Sequence, residues 1–566
     1  MSRWRRIGAA VVLLLSTGCS IFGQEEALAD IARDQTFAPS GPRPVADAGP
    51  APGILRESWR IDGLGKEKDA REIRLAGGQL FVAGADGLEA HDAGTGAKRW
   101  RYREPGRDLI GYAVSKDALV IATRPSTGQS STGQSGSTRS DADIRLTGLA
   151  AGTGRLLWER SGAEATPFTG RQGLALAIGE GVVPLLAEAP RSGDDDKPDE
   201  FIALDAATGE RRWRREHRAP GGCDYPQRRA TTDTDGSVVV FEESCRSEHY
   251  VYAFDPATGT PLWSRRGTSR LGAETSVRNG ATLIGLGKET RVIVGRDGRD
   301  LARMDGAVQC VTPCSLQSMG DDLGLIHLDG SNNLVVSLIN RSSGQVRTVD
   351  TPDDGLPAVG GGRVYSVSPH LDHGTLLPAG LTVLDPATAA LTTMPLPLSL
   401  PSGRPRWAGV TGGQLLVATT ATESLVAYAA TPAQGPVELG GVRPEDWPQA
   451  CDLLKDLPGK VAARTPTVKG PVRAGTRELA RSACGVTYTV GGIERGARAE
   501  VLWVSASPAE ADGLLDGEPG RYGADEARKT DGESVQVRKG RHIVEVQADQ
   551  PDDLERIVGG VLKSLN

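Results

Sequence analysis

Hydrophobic and polar positions recur in one pattern through the first half of the chain. A short alternating run is followed by a polar turn and then by a second run that carries a tryptophan. The clearest copies are "LEAHDAGTGAKRW" ending at Trp100, "LTGLAAGTGRLLW" at Trp158, "FIALDAATGERRW" at Trp213 and "VYAFDPATGTPLW" at Trp263. Alternation with period two and a β-rich composition predict a strand for each first run. Asp92, Asp205 and Asp255 suit an Asx-type turn, in which the carboxylate accepts from the following amides. Gly96, Gly154, Gly209 and Gly259 supply positive φ without a Cβ penalty. Ala90, Ala203 and Ala253 precede the Asp position by two, where a small residue is expected to let neighbouring repeats approach near a common axis. The tryptophan then lies on the next, outer strand, where it covers a seam and offers its N–H to a backbone carbonyl.

Weaker copies follow around Asp297, Ser343, Thr388 and Thr431, with gaps of about 40 to 60 residues. That period suits a four-stranded propeller blade, and eight copies predict eight blades, with seven as the alternative. "ESWRI" at Trp59 reads as an outer strand without partners, which is expected to close the ring by completing the last blade. From Pro444 the pattern becomes mixed. Residues 444–457 begin a helix, and "CGVTYTV", "AEVLWVSA" and "HIVEVQA" are strands. Ser507-Pro508-Ala509-Glu510 reads as a capping box. Leu554, Ile557, Val558, Val561, Leu562 and Leu565 form one apolar helical stripe.

The N-terminus carries a different signal. Arg3, Arg5 and Arg6 precede the apolar run from Ile7 to Leu15, and "STGCS" follows, as in a secretory signal. Cys19 after Gly18 resembles the lipobox cysteine of bacterial lipoproteins, although Ser16 stands where that motif usually has Leu. The alternative is a plain secretory signal with an incidental cysteine. Removing Cys19 leaves Cys223, Cys245, Cys310, Cys314, Cys451 and Cys484, an even set that favours disulfides in an exported chain. Proximity pairs them in sequence order, but other connectivities remain open. Residues 19–53, rich in Ala, Pro, Asp and Gly, read as a flexible tether. The Ser/Gly-rich stretch from Pro125 to Asp143 and the acidic stretch from Arg191 to Glu200 read as surface loops.

The chain has 566 residues and a formal net charge of -7, which argues against a general nucleic-acid surface. The repeats resemble the quinoprotein-type tryptophan-docking repeat, shared by pyrroloquinoline-quinone (PQQ) dehydrogenases and the BamB-like lipoproteins of outer-membrane assembly. The resemblance covers Trp59 to Leu439 and implies a PQQ-like propeller. The C-terminal part is similar, more weakly, to small sensor-like domains of exported lipoproteins. The dehydrogenases hold quinone with Ca²⁺ and, in many members, an adjacent-cysteine ring; this chain has no Cys-Cys dipeptide. Other chemical candidates have plainer readings: His370 and His373 as polar loop residues, and the basic run from Gly209 to Arg218 as a solvated edge strand.

The expected architecture is an all-β eight-bladed (or seven-bladed) propeller plus a small C-terminal α/β (α+β) domain. Its parts are a signal at 1–18, the tether at 19–53, the propeller at 54–440 and the last domain at 443–566. The expected role is a membrane-anchored extracytoplasmic scaffold or sensor for a protein partner or small extracellular ligand. It has no cofactor, no metal and no catalytic residues, and Trp100, Trp158, Trp213 and Trp263 are structural. The alternative is a PQQ-dependent dehydrogenase of alcohols or sugars.

Overall fold

In a computed structural model, the described residues run from 33 to 565. They exclude 65–71, 127–143, 162–168, 171–172, 175–176, 180, 188–197, 219–226, 233–235, 246–247, 268–274, 287–289, 306–314, 329–333, 351–354, 373–374, 399–403, 421–423, 432–440, 469–471, 475–476, 516, 518–519 and 531–532. Cys19, Cys223, Cys310, Cys314 and His373 therefore lie outside the described residues, as do the signal and most of the two surface loops.

Each repeat folds as an antiparallel meander. The first sheet orders Ile73–Ala76, Gln79–Ala83, Gly87–Asp92 and Lys98–Arg103, and Asp34–Thr36 adds a fifth strand to the outer edge. Comparable sheets occupy 107–161, 182–217, 227–267, 276–305, 315–350 and 356–395. A further sheet combines 405–431 with Ile54–Ile61, whose Ile54 pairs with Thr431. Among the described residues there are eight such sheets, and the one at 182–217 shows three strands.

Apolar side chains on both faces of each sheet account for their arrangement. One hydrophobic cluster spans each pair of successive sheets, for example Phe81, Trp100, Tyr112 and Leu149 between the first and second. The series ends with Leu80 and Val82 of the first sheet packed with Leu416 and Ala427 of the last, so the sheets close into a circle. A sheet with apolar side chains on both faces needs a neighbour on each, and closure supplies both without leaving an end.

The repeat signature acts at the seams. Trp100 Nε1 donates to Ala151 O at 3.0 Å, Trp158 Nε1 to Ala206 O at 2.8 Å and Trp213 Nε1 to Pro256 O at 2.9 Å, each in the following sheet. Each ring lies over the glycine of that next turn. A Cβ on Gly154, Gly209 or Gly259 would sit 2.5–2.7 Å from the nearest ring atom of Trp100, Trp158 or Trp213. Trp59 covers Gly96 in the same way, so the closing strand carries its own seam tryptophan. Two residues past the tryptophan, Arg160 and Arg215 donate to the carbonyls of Gly209 and Gly259. In the first sheet that position is Tyr102, and Gln35 from the added strand supplies the equivalent donor to Gly154 O at 2.7 Å.

Three expectations are revised. Ala90, Ala203 and Ala253 pair directly across from Trp100, Trp213 and Trp263. Their small size makes room for the tryptophan of the same sheet rather than for an approach at the axis; at Gly148, opposite Trp158, a Cβ would lie 2.2 Å from the ring. Residues 444–457 do not form one helix: Pro444–Asp446 is a 3-10 turn and Ala450–Leu453 a short helix, separated where Pro448 removes a donor. Residues 33–53, within the stretch read as a tether, are hydrogen-bonded onto the propeller.

The C-terminal region is a six-stranded antiparallel sheet in the order Lys460–Val468, Ser482–Val490, Ile493–Val504, His542–Ala548, Ser534–Lys539, Glu526–Lys529. Pro551–Ser564 buries Leu554, Ile557, Val558, Val561 and Leu562 in its core. Cys451 and Cys484 form a disulfide between the short helix and the sheet. A hairpin of the 356–395 sheet, Leu371–Asp372 with Thr375–Leu376, reaches this unit. Leu376 and Leu377 join its core, and Arg481 donates to Leu376 O.

Candidate functional site

The first strands of neighbouring sheets lie against one another, as 356–360 with 405–411 and 276–278 with 315–319, so they surround the axis. Their turns into the second strand ring one mouth of that axis. Several of these turns carry paired glycines with positive φ: Gly77-Gly78, Gly361-Gly362 and Gly412-Gly413. Beneath them is a cavity of about 1000 Å³, lined by backbone and aliphatic groups from many sheets together with Lys116, Asp117, Arg278 and Trp407. Among the described residues, no group of three or more His, Cys, Asp or Glu side chains is placed to hold a metal ion.

Residues 33–53 cross this mouth. Asp34–Thr36 pairs with 101–103 at the outer edge, where Arg33 also meets Glu159 at 2.6 Å. The segment then turns inward: Ala38 N donates to Thr153 O, and Arg99 Nη2 donates to the carbonyls of Ser40 and Gly41 at 2.5 and 2.9 Å. Val45 and Asp47 line the cavity. Gly412 N and Gly413 N donate to Ala46 O and Ala48 O at 2.7 and 2.9 Å, and Gly49 N donates to the Tyr365 hydroxyl at 3.2 Å. At Gly78 a Cβ would stand 3.0 Å from Arg43 O, and at Gly361 it would stand 2.9 Å from Asp47 O; glycine is what permits this close approach. The repeat pattern did not reveal this crossing. The available signal was the recurring Gly-Gly dipeptide just before an apolar strand, as in "AGGQLF" and "TGGQLLVAT".

Buried ionisable groups lie between sheets, away from the mouth. Glu243 receives His217 Nε2 at 3.0 Å and Arg228 Nε at 2.7 Å. Burial pushes its carboxyl up, but the bonds from His217 and Arg228 prevail and hold it below the usual range. Ser244 Oγ lies 2.9 Å from His249 Nδ1, and His249 Nε2 lies 3.4 Å from Glu242. The trio resembles a nucleophile arrangement in outline. However, the His249 side chain is 1% exposed, and burial with nearby Arg229 lowers its pKa to about 4, so it is a weak base. His370, read as a polar loop residue, is buried: its Nδ1 and Nε2 sit 2.8 Å from Leu377 O and Leu398 O, and its ring is 5.2 Å from Trp503.

The candidate residues named from sequence are thus distributed rather than gathered. Trp100, Trp158, Trp213 and Trp263 lie at separate seams; Cys451 pairs with Cys484; and Cys245 is disulfide-bonded. The basic run continues into the edge strand Arg211–His217, where Arg212 pairs with Asp205 at 2.7 Å.

Comparison with known proteins bears on this architecture. The crystal structure of BamB from Moraxella catarrhalis aligns over 66% of this chain and 100% of its own, with 14% identity and a TM-score of 0.40. A crystal structure of a mitotic checkpoint complex aligns over 75% of this chain and 99% of its own, with 12% identity and a TM-score of 0.36. No curated protein matches the sequence. The family model described as outer membrane protein assembly factor BamB matches residues 56–183 and 192–349, just over half of the chain. With its tryptophan-docked sheets, the chain belongs to that BamB family of PQQ-type repeats.

Proposed function

We propose that this protein is an extracytoplasmic lipoprotein, anchored through Cys19, whose propeller is a non-enzymatic scaffold for a protein partner. The observation that carries the reading is family membership combined with the use made of the repeat. The residues that recur from repeat to repeat, Asp, Gly and Trp, serve turns and seams, and the turns around the mouth present backbone groups that suit polypeptide docking. On this reading Trp100, Trp158, Trp213 and Trp263 are docking residues of the wall, and no quinone, Ca²⁺ or nucleic acid is required. The parts are a signal at 1–18, a propeller within 54–440 and a separate unit at 443–566. Among the described residues no helix is long and apolar enough to cross a membrane, and the lipid on Cys19 supplies the attachment.

The test is crosslinking in intact cells followed by purification of the protein from the membrane fraction. A specific, saturable partner is the expected result; recovery of the protein alone at every salt concentration overturns the scaffold. In the same cells Cys19→Ser is expected to move the protein from the membrane to the soluble exported fraction, read by fractionation. Retention in the membrane overturns the anchor.

A further inference from the structure

We propose that the axial mouth is a main-chain-reading track for an extended, proline-rich segment of a partner protein, occupied in cis by residues 38–49. The inference rests on the scaffold reading and gives it a place and a ligand chemistry. The contacts made to the crossing segment are notable for what they touch. Arg99 donates to the carbonyls of Ser40 and Gly41, and the amides of Gly412 and Gly413 donate to those of Ala46 and Ala48. On its own side the segment donates through the main-chain amides of Ala38 and Gly49. Its side chains at Arg43, Pro44, Ala46 and Asp47 are exposed. A surface that directs its hydrogen bonds to the backbone and seats small apolar side chains such as Ala38 and Val45 accepts another chain of the same shape, as main-chain recognition does elsewhere.

The shape is set by the prolines. Pro39, Pro42 and Pro44 occupy positions whose nitrogen has no donor role in the track, and each fixes φ near an extended value. Glycines at 78 and 361 bring the floor to within 3.0 and 2.9 Å of the segment's carbonyls when a Cβ is imagined there, so the track is contoured for a backbone. Val45 is half-buried, touches the turn glycines Gly78 and Gly412 and faces the cavity; a partner segment is expected to carry a small branched aliphatic there. The cavity of about 1000 Å³ behind it leaves room for larger groups nearby.

The experiment uses the full chain with a protease site inserted between Ala51 and Pro52, both exposed. After cutting and gel filtration, a labelled peptide with the sequence of residues 37–50 is titrated by fluorescence polarisation. In the uncut protein the tethered segment competes at an effective concentration on the order of millimolar, so binding to the cut protein is expected to be at least ~100-fold tighter. Arg43→Ala in the peptide is expected to change binding by no more than about twofold. Arg99→Ala in the protein weakens it. Equal binding to cut and uncut protein, failure of the fragment to separate, or no uptake by a cut protein that melts normally overturns the proposal. Concentration-dependent dimerisation of uncut protein assigns the track to a second copy and also overturns it.

If cutting unfolds the protein, hydrogen exchange on the intact chain decides. The Gly412 and Gly413 amides are expected to exchange faster than the sheet core. They are expected to slow when Val45→Cys and Gly412→Cys are oxidised together, since a Cβ at 412 stands 3.7 Å from that of Val45, within disulfide range. Exchange of both amides only with the core means a permanent strap. Partner capture in cells that is unaffected by this crosslink leaves the scaffold standing and removes the track; peptide uptake without any partner does the reverse.

Discussion

At the scale of single residues, the seam glycines separate backbone strain from crowding. Gly209 has φ +70°, and a Cβ there would fall 2.5 Å from the Trp158 ring, which cannot retreat without losing its bond to Ala206 O. Gly106 has φ +85° and open space around it. Gly106→Ala is therefore expected to lose about 1 kcal/mol and Gly209→Ala at least about 2 kcal/mol more, read from urea midpoints. A second residue-scale expectation concerns acid. His249 has a folded pKa of about 4, below the unfolded 6.5, so the fold favours the neutral ring. Its contribution is complete above pH 6.5 and is lost as pH falls from there through 4. Between pH 7 and 4.5 the wild type should lose roughly 2–3 kcal/mol more stability than His249→Gln, measured by denaturant titration at both pH values. Glu243 acts in a lower window: its depressed pKa gives stability above the ordinary carboxylate range that disappears as pH falls further.

At the scale of elements, the disulfide and the broken helix show what local pattern conveys. Cys451 and Cys484 close a loop with a sequence separation of 33. Replacing both by Ser is expected to remove about 3–4 kcal/mol from the C-terminal unit, seen as an earlier calorimetric transition, on the chain-entropy account. The strand-turn-strand units were legible because all their determinants are local. Asp205 accepts from Ala207 N and Thr208 N, and Gly209 follows with its positive φ, within five residues. The weaker copies around Ser343 and Thr388 kept the turn and lost the tryptophan. Asn340 and Asp385 still accept from the amides two residues on, while Ala389 at φ 58° stands where glycine stands elsewhere. The crossing segment was not legible. Its sequence has no period, its partners include Tyr365, 316 residues from Gly49, and Met394, 341 residues from Gly53, and a proline-rich composition reads the same whether free or bound. His370 was misjudged for a related reason: its surroundings come from Leu398 and Trp503, distant in sequence.

At the scale of the whole molecule, the propeller and the C-terminal unit are joined by a shared core rather than by the connecting chain alone. Leu376 and Leu377 pack with Trp503, and Arg481 stands buried between Leu376 O and Glu500. The candidate site is the mouth of the ring, so every sheet that reaches it must be correctly placed before it exists. This depends on the last sheet, where Ile54–Ile61 supplies the outer strand. Consider that pairing from the viewpoint of synthesis. Ile54 emerges first and its partner Thr431 emerges 377 residues later. At ribosomal rates of about 5–20 residues per second, that wait is roughly 20–75 s. Throughout it the strand has nothing to pair with, and a product cut short anywhere before residue 425 never acquires a partner for it. The seal thus reports on how far synthesis of the ring has run: a product that stops before residue 425 cannot cover Ile54–Ile61, however many of the earlier sheets it has built.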